Sequence, residues 1–239
     1  MILAAVVVAI LLAIVIVKYL PLKLKWLASV LLLALTVFLV YKIYYGIMQP
    51  IIFNKEKVTK YSKVIKNLKI IRDAEVKHFE VTGKYTNNKT SLIQFIDTAQ
   101  LALTETKTIV EKEDRGGGVV IDVEKRITDT IGYEPVAKYF KGKDYKNMFK
   151  VPGVAGKEFD IEIGTVEKVQ GLVVPTFLVK TEKAGILKGM DESLIKQELE
   201  AVATDQIKGE FVSVGSLDEV TTGGNWPPSY DKKDGDKKE

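Results

Sequence analysis

The chain has 239 residues, of which 46% are hydrophobic and 28% charged, and carries a formal net charge of +4. It contains no cysteine, which excludes disulfides, thiol catalysis and thiolate metal sites, and its single histidine, His78, excludes a multi-histidine metal centre. The positive excess is modest and much of it lies in one segment after residue 41.

Two apolar stretches open the chain. Ile2 to Val17 is unbroken, and Trp26 to Tyr41 is interrupted only by Ser29 and Thr36. Between them Lys18, Pro21, Lys23 and Lys25 mark a short basic bend. At ~1.5 Å per residue each stretch is near the lower limit for a hydrocarbon core ~30 Å thick. The reading is a transmembrane helical hairpin over residues 1–48, with Trp26 and the group Tyr41, Tyr44 and Tyr45 as interfacial aromatics. Met1 leads straight into the first apolar run with no basic region before it, which favours a retained span over a cleaved signal. Neither stretch holds an ionisable side chain, so the hairpin reads as an anchor rather than a conduit. The lysines of the bend place it in the cytoplasm and the remainder of the chain in the periplasm of a bacterial inner membrane.

Pro50 and Asn54 predict a break or a helix start, and residues 49–83 a long amphipathic helix closed by Gly83. Val58, Tyr61, Ile65, Leu68 and Ile71 fall on one face and are the candidate partner-binding stripe. The domain over residues 84–220 is expected to be α+β, a mostly antiparallel sheet with one or two packed helices. Ser91 and Gln94 suggest a capping box ahead of Leu92, Phe95 and Ile96. Leu101–Lys112 and Val119–Arg126 read as strands joined by a tip containing Gly116, Gly117 and Gly118. One helical turn is expected around Val136–Phe140. Phe159, Ile161 and Ile163 alternate with Asp160 and Glu162 as a half-buried strand, and Gly171–Thr181 returns beside it, an edge strand or a bulge because of Pro175. Asp191 caps a helix to about Val202, with Leu194, Ile195, Leu199 and Val202 inward, and Gly209–Val214 reads as the last strand. Residues 221–239 are too polar to order themselves and are expected to be a disordered tail.

Each motif with the residue types of a known chemistry has a plainer account. Ser193 and Lys196 have nucleophile–base spacing, but the companion elements of that enzyme class are missing and a helix start explains them. Gly116–Gly118 is followed by no Gly-Lys-Ser/Thr. Glu111, Glu113, Asp114, Asp122 and Glu124 match no calcium loop and read as solvated strand faces. Asp160 and Glu162 share a strand face, as alternate positions do. His78 suits a helix C-terminus. The basic side of the long helix, Lys55, Lys57, Lys63, Lys66, Lys69 and Arg72, lacks interleaved aromatics, which argues against nucleic acid and for a solvated or docking face. Asn88-Lys89-Thr90 is a formal glycosylation acceptor. No catalytic, cofactor or metal residue is therefore assigned.

Ile71-Arg72-Asp73-Ala74-Glu75 and Thr82-Gly83-Lys84-Tyr85, set after an apolar segment and a long helix, resemble the spine-then-sheet plan of type II secretion pseudopilins over about residues 42–100. The chain departs from that plan in having two apolar stretches and no processing site. Ile65–Gln100, with Val214–Val220 followed by Gly224-Asn225-Trp226-Pro227, is similar to uncharacterised membrane-anchored envelope proteins of the Bacteroidetes type. That resemblance implies no activity and no site residues. Together these readings predict a non-enzymatic structural or assembly subunit of an envelope complex, secretion- or pilus-like, with the lipid bilayer and other membrane or envelope proteins as partners. The alternative is a membrane-tethered enzyme or solute-binding domain. Oligomeric state is left open by the sequence.

Overall fold

The computed structural model describes Ile14, Lys18 and residues 21–114, 120–200, 202–203 and 205–231. The chain divides into two compact units, Met1–Lys55 and Glu56–Glu239. A single 61-residue helix, α1 (Leu22–Thr82), begins in the first unit and ends in the second. The expected hairpin is therefore corrected: from Trp26 onward there is one helix, with no stop between the apolar stretch and the amphipathic one. Ile2–Val17, apart from Ile14, lies outside the described residues. Pro21 stands immediately before the first turn, where a missing N–H costs nothing. Pro50 lies inside the helix rather than at a break. It removes one hydrogen bond, to the carbonyl of Gly46, at about 3 kcal/mol, and the bonds on either side carry the helix through. Gly83, at φ 72°, ends it as expected, its N–H bonded to the Phe79 carbonyl at 2.8 Å.

The second unit is built around the C-terminal half of α1. Tyr61, Val64, Ile65, Leu68, Ile71 and Ala74 are buried on one face, at the spacing of an amphipathic helix. Helix α2 (Lys89–Thr98) buries Leu92 and Ile96. Its cap is Asn88, whose side chain accepts from the Ser91 N–H at 3.0 Å, in place of the expected Ser91–Gln94 box. Asn88→Ala should lower stability by ~1 kcal/mol, read as a fall in melting temperature, whereas Ser91→Ala should change little.

Two separate antiparallel sheets follow. Strands β1 (Gln100–Asp114) and β2 (Val120–Pro135) form a two-stranded ribbon with an extra residue in β2 opposite Leu103/Thr104. The expected turn at Val136–Phe140 is a 3-10 helix that buries Val136 and Phe140. Strands β3 (Asp160–Val169), β4 (Leu172–Glu182) and β5 (Phe211–Gly215) form a three-stranded sheet in that order. Pro175 was expected to mark an edge strand or a bulge, yet β4 is central and stays in register with β3 at Thr165–Pro175. The two facts are compatible because β5 reaches only as far as Leu178, leaving Pro175 with one neighbouring strand. Phe177 and Val179 supply the inner face of β4, and a run of rings links α1 to it: Phe79–Tyr85 at 4.8 Å and Tyr85–Phe177 at 4.7 Å.

A short helix, α3 (Lys183–Leu187), was not anticipated; it buries Ile186 and Leu187. Asp191 caps α4 (Glu192–Leu199) as expected, accepting from the Ser193 and Leu194 N–H groups. That helix ends three residues earlier than expected, and Val202 is 85% exposed rather than inward.

The tail is also corrected. Thr221–Asp231 folds back along β5: the Asn225 N–H reaches the Ser213 carbonyl, and the Asn225 side chain accepts from the Ser213 N–H and donates to the Phe211 carbonyl. Trp226 is buried, with its indole N–H on Asp231 at 3.1 Å, and Lys69 of α1 holds Asp231 at 2.7 Å. Polarity alone concealed this, since one indole and a set of side-chain hydrogen bonds do the ordering. Residues 232–239 lie outside the described residues. At Gly215, φ is 79° and an added Cβ would sit 2.1 Å from the Phe177 carbonyl oxygen, so only glycine closes β5 against β4 there.

Candidate functional site

Among the described residues of the first unit, α1 is apolar from Trp26 to Val40 apart from Ser29 and Thr36. Trp26 is 67% exposed, Leu31 66%, Val37 63% and Ile43 62%, so no core among the described residues takes up these side chains. Ser29 and Thr36 return their hydroxyls to the carbonyls of Lys25 and Leu32, at 2.9 and 2.8 Å. Those bonds leave no polar side-chain group seeking water between Trp26 and Tyr41. Tyr41 and Tyr45 stack at 6.1 Å, and Lys42 lies over the Phe38 ring at 5.8 Å.

The expected partner-binding stripe is overturned in the second unit. Tyr61, Ile65, Leu68 and Ile71 are at most 1% exposed and form the domain's own core; only Val58, at 47%, meets solvent. A sequence stripe at helical spacing is the same for a core and for a docking face, and here it is buried within the second unit.

Beside that stripe lies a cluster of charge with no solvent. Glu198 of α4 is buried between two ammonium groups. Lys57 of α1 donates to its Oε2 at 2.8 Å, and Lys183 of α3 stands 3.8 Å from its Oε1. Lys183 also donates to the carbonyls of Glu198 and Ile207, and the Tyr61 hydroxyl approaches Oε1 at 3.5 Å. Burial lowers the Lys183 ammonium pKa below that of an ordinary lysine, opposed by the Glu198 carboxylate. Burial first, and Glu198 second, raise the Tyr61 phenol, and Tyr230 is pushed up to about 12 by the same two causes. Lys183 and Tyr61 are 0% exposed, so neither offers an atom to a substrate. The cluster fastens α1, α3, α4 and the Ile207 backbone together.

A second buried acid is Glu75 of α1. Its Oε2 accepts from the Thr86 N–H at 3.0 Å, while its Oε1 has no protein partner. Burial raises its pKa from 4.5 to about 7 against the opposing Thr86 hydrogen bond, and Tyr85 is raised by burial and by Glu75. Sequence reading missed Lys57, Lys183, Glu198 and Glu75 as buried groups; the one available signal was that each occupies an apolar-face position of its helix.

The remaining candidates resolve into structural roles. Ser193 donates to Asp191 at 2.5 Å within the α4 cap. The His78 ring packs edge-on against Phe95 at 4.9 Å, with its Nδ1 2.7 Å from the Lys84 carbonyl oxygen. Glu162 pairs with Lys180 at 2.6 Å. Asn88 is occupied as the α2 cap. In the ribbon register Glu111 and Glu113 oppose Val123 and Ile121, whereas Asp122 and Glu124 oppose Lys112 and Val110, which divides the acids between two faces. Among the described residues no group of three or more ligating side chains could hold a metal. Gly116–Gly118 lies outside the described residues. Of the basic side of α1, Lys57 is buried, Lys69 pairs with Asp231 and Arg72 with Asp73, while Lys63 and Lys66 are exposed. A surface cavity of about 650 Å³ beside residues 150–158 is lined by Lys150, Lys157 and glycine-rich backbone. The one acid there, Glu158, is bound to Lys89 at 2.7 Å.

The β1–β2 ribbon is exposed along its described length. Among the described residues of β1 and β2 none is buried, and Val110, Ile131 and Tyr133 are large apolar side chains left in solvent. Thr104, Thr106 and Thr108 of β1 share a face with Thr128 and Thr130 of β2, and the Thr106 and Thr128 hydroxyls lie 3.1 Å apart.

Comparison with protein-family models, with curated proteins and with solved structures finds no match to this chain.

Proposed function

We propose that this protein is a membrane-anchored structural subunit of a bacterial envelope assembly, working by holding partner proteins rather than by catalysis. The observation that carries the reading is the apolar surface of α1 between Trp26 and Val40, exposed among the described residues and with the Ser29 and Thr36 hydroxyls satisfied internally. Lipid is the solvent that such a surface suits. The order of apolar helix, long helical spine and antiparallel sheets supports a pseudopilin-like, secretion- or pilus-type plan, and the lysines at 18, 23 and 25 support an inner-membrane anchor with a periplasmic domain. With Tyr61, Ile65, Leu68 and Ile71 used in the core, the surface left for partners is the β1–β2 ribbon.

The test is fractionation of the full-length chain from a bacterial host. It is expected in the membrane pellet after high-salt and alkaline washes and in solution only with detergent. Recovery in the detergent-free supernatant would overturn the proposal.

A further inference from the structure

Strands β1 and β2 pair only with each other, over 15 and 16 residues, or about 50 Å at ~3.3 Å per residue. A lone two-stranded ribbon is marginally stable in water, and each of its outer edges presents unpaired backbone N–H and C=O groups. The two edges are not equivalent. The extra residue in β2 interrupts the regularity of that strand, whereas β1 is regular throughout and contains no proline. Among the described residues no backbone hydrogen bond reaches β1 from anywhere but β2.

We propose that β1 pairs antiparallel with β1 of a second copy of this chain about a two-fold axis at Thr106, which makes a four-stranded sheet. This rests on the reading of the chain as an assembly subunit and names its first partner. The argument is charge and shape complementarity along the edge. In this register Glu105 faces the partner's Lys107 twice, Thr104 faces Thr108, Leu103 faces Ile109 and Ala102 faces Val110. Thr106 meets its own copy and extends the threonine row already formed with Thr128. The neighbouring registers are worse. Moving the axis one residue sets Glu105 or Lys107 against itself, and moving it to Thr108 sets Glu105 against Glu111. In the single copy Lys107 turns back on Glu105 at 3.0 Å, both side chains being about half exposed, so both charges are available for the exchange.

The chain has no cysteine, so single cysteines report position without background. In membranes holding the full-length protein, Thr106→Cys treated with a short bifunctional maleimide should give a covalent dimer. Val110→Cys and Thr128→Cys should not. Lys107→Glu on the Thr106→Cys background should cut dimer yield about tenfold, because like charges then oppose each other twice, and adding Glu105→Lys should restore it. Equal dimer yields at all three cysteines, adducts only to other proteins, or no rescue by the double reversal would each overturn the self-pairing. Any of those results from a chain still held in the membrane pellet leaves the anchored-subunit reading standing. A chain found in the detergent-free supernatant removes that reading instead.

Discussion

Glu198→Ala is expected to destabilise the domain by about 3–5 kcal/mol, the largest effect of any single substitution considered. Removing the carboxylate leaves the Lys57 and Lys183 ammonium groups buried without the charge that offsets them, 2.8 and 3.8 Å from where it stood. The Lys183 pKa, already lowered by burial, would fall further once the opposing influence of Glu198 is gone. Chemical denaturation of the wild type and variant would read the loss as a lower midpoint at unchanged slope. A companion variant separates charge from packing. Lys57→Met, Glu198→Leu and Lys183→Met together should recover most of the loss, since an apolar set of similar volume needs no compensation. If Glu198→Ala proves neutral, the cluster is not what fastens α1 to α3 and α4.

The second expected result is a pH dependence that belongs to Glu75. Its pKa is raised from 4.5 to about 7, so the folded state binds the proton more tightly than the unfolded chain does. The contribution is fully present below about pH 4.5 and is lost as pH rises through 7, which amounts to ~3 kcal/mol over that window. The Thr86 N–H and the Tyr85 phenol are the groups that face it. Denaturation midpoints across pH 4 to 8 should fall less steeply in Glu75→Gln than in the wild type, because the amide cannot ionise. Parallel profiles for the two proteins would show that the buried oxygen does not titrate in this range.

What the sequence made legible follows from which signals are local. The α1 spine, the Asp191 cap and the turn at Val136–Phe140 are set by residues within a turn or two of each other, and all three appear where periodicity and capping chemistry put them. The stop at Gly83 is equally local, needing only a residue that tolerates positive φ. What was misread depended on distant partners. Tyr61 and Leu68 form a stripe whose meaning changes with whether the rest of the chain's own fold buries it. Lys183 reads as an ordinary solvated lysine until Glu198, fifteen residues on, is brought against it. Pro50 predicts a break or a helix start because the rule for proline is local, while the long apolar and amphipathic flanks that outweigh it are not. The polar composition after Thr221 hid the fact that a single indole, Trp226, has a socket to fill.

The return of Thr221–Asp231 along β5 bears on how the protein can be handled. A truncation at Val220, natural-looking from hydropathy, would strip the Ser213 and Phe211 backbone of its Asn225 partners and leave a raw sheet margin. Such a shortened version would gain a surface prone to clumping, and a proteolytic nick near Gly223 would do the same to material in storage.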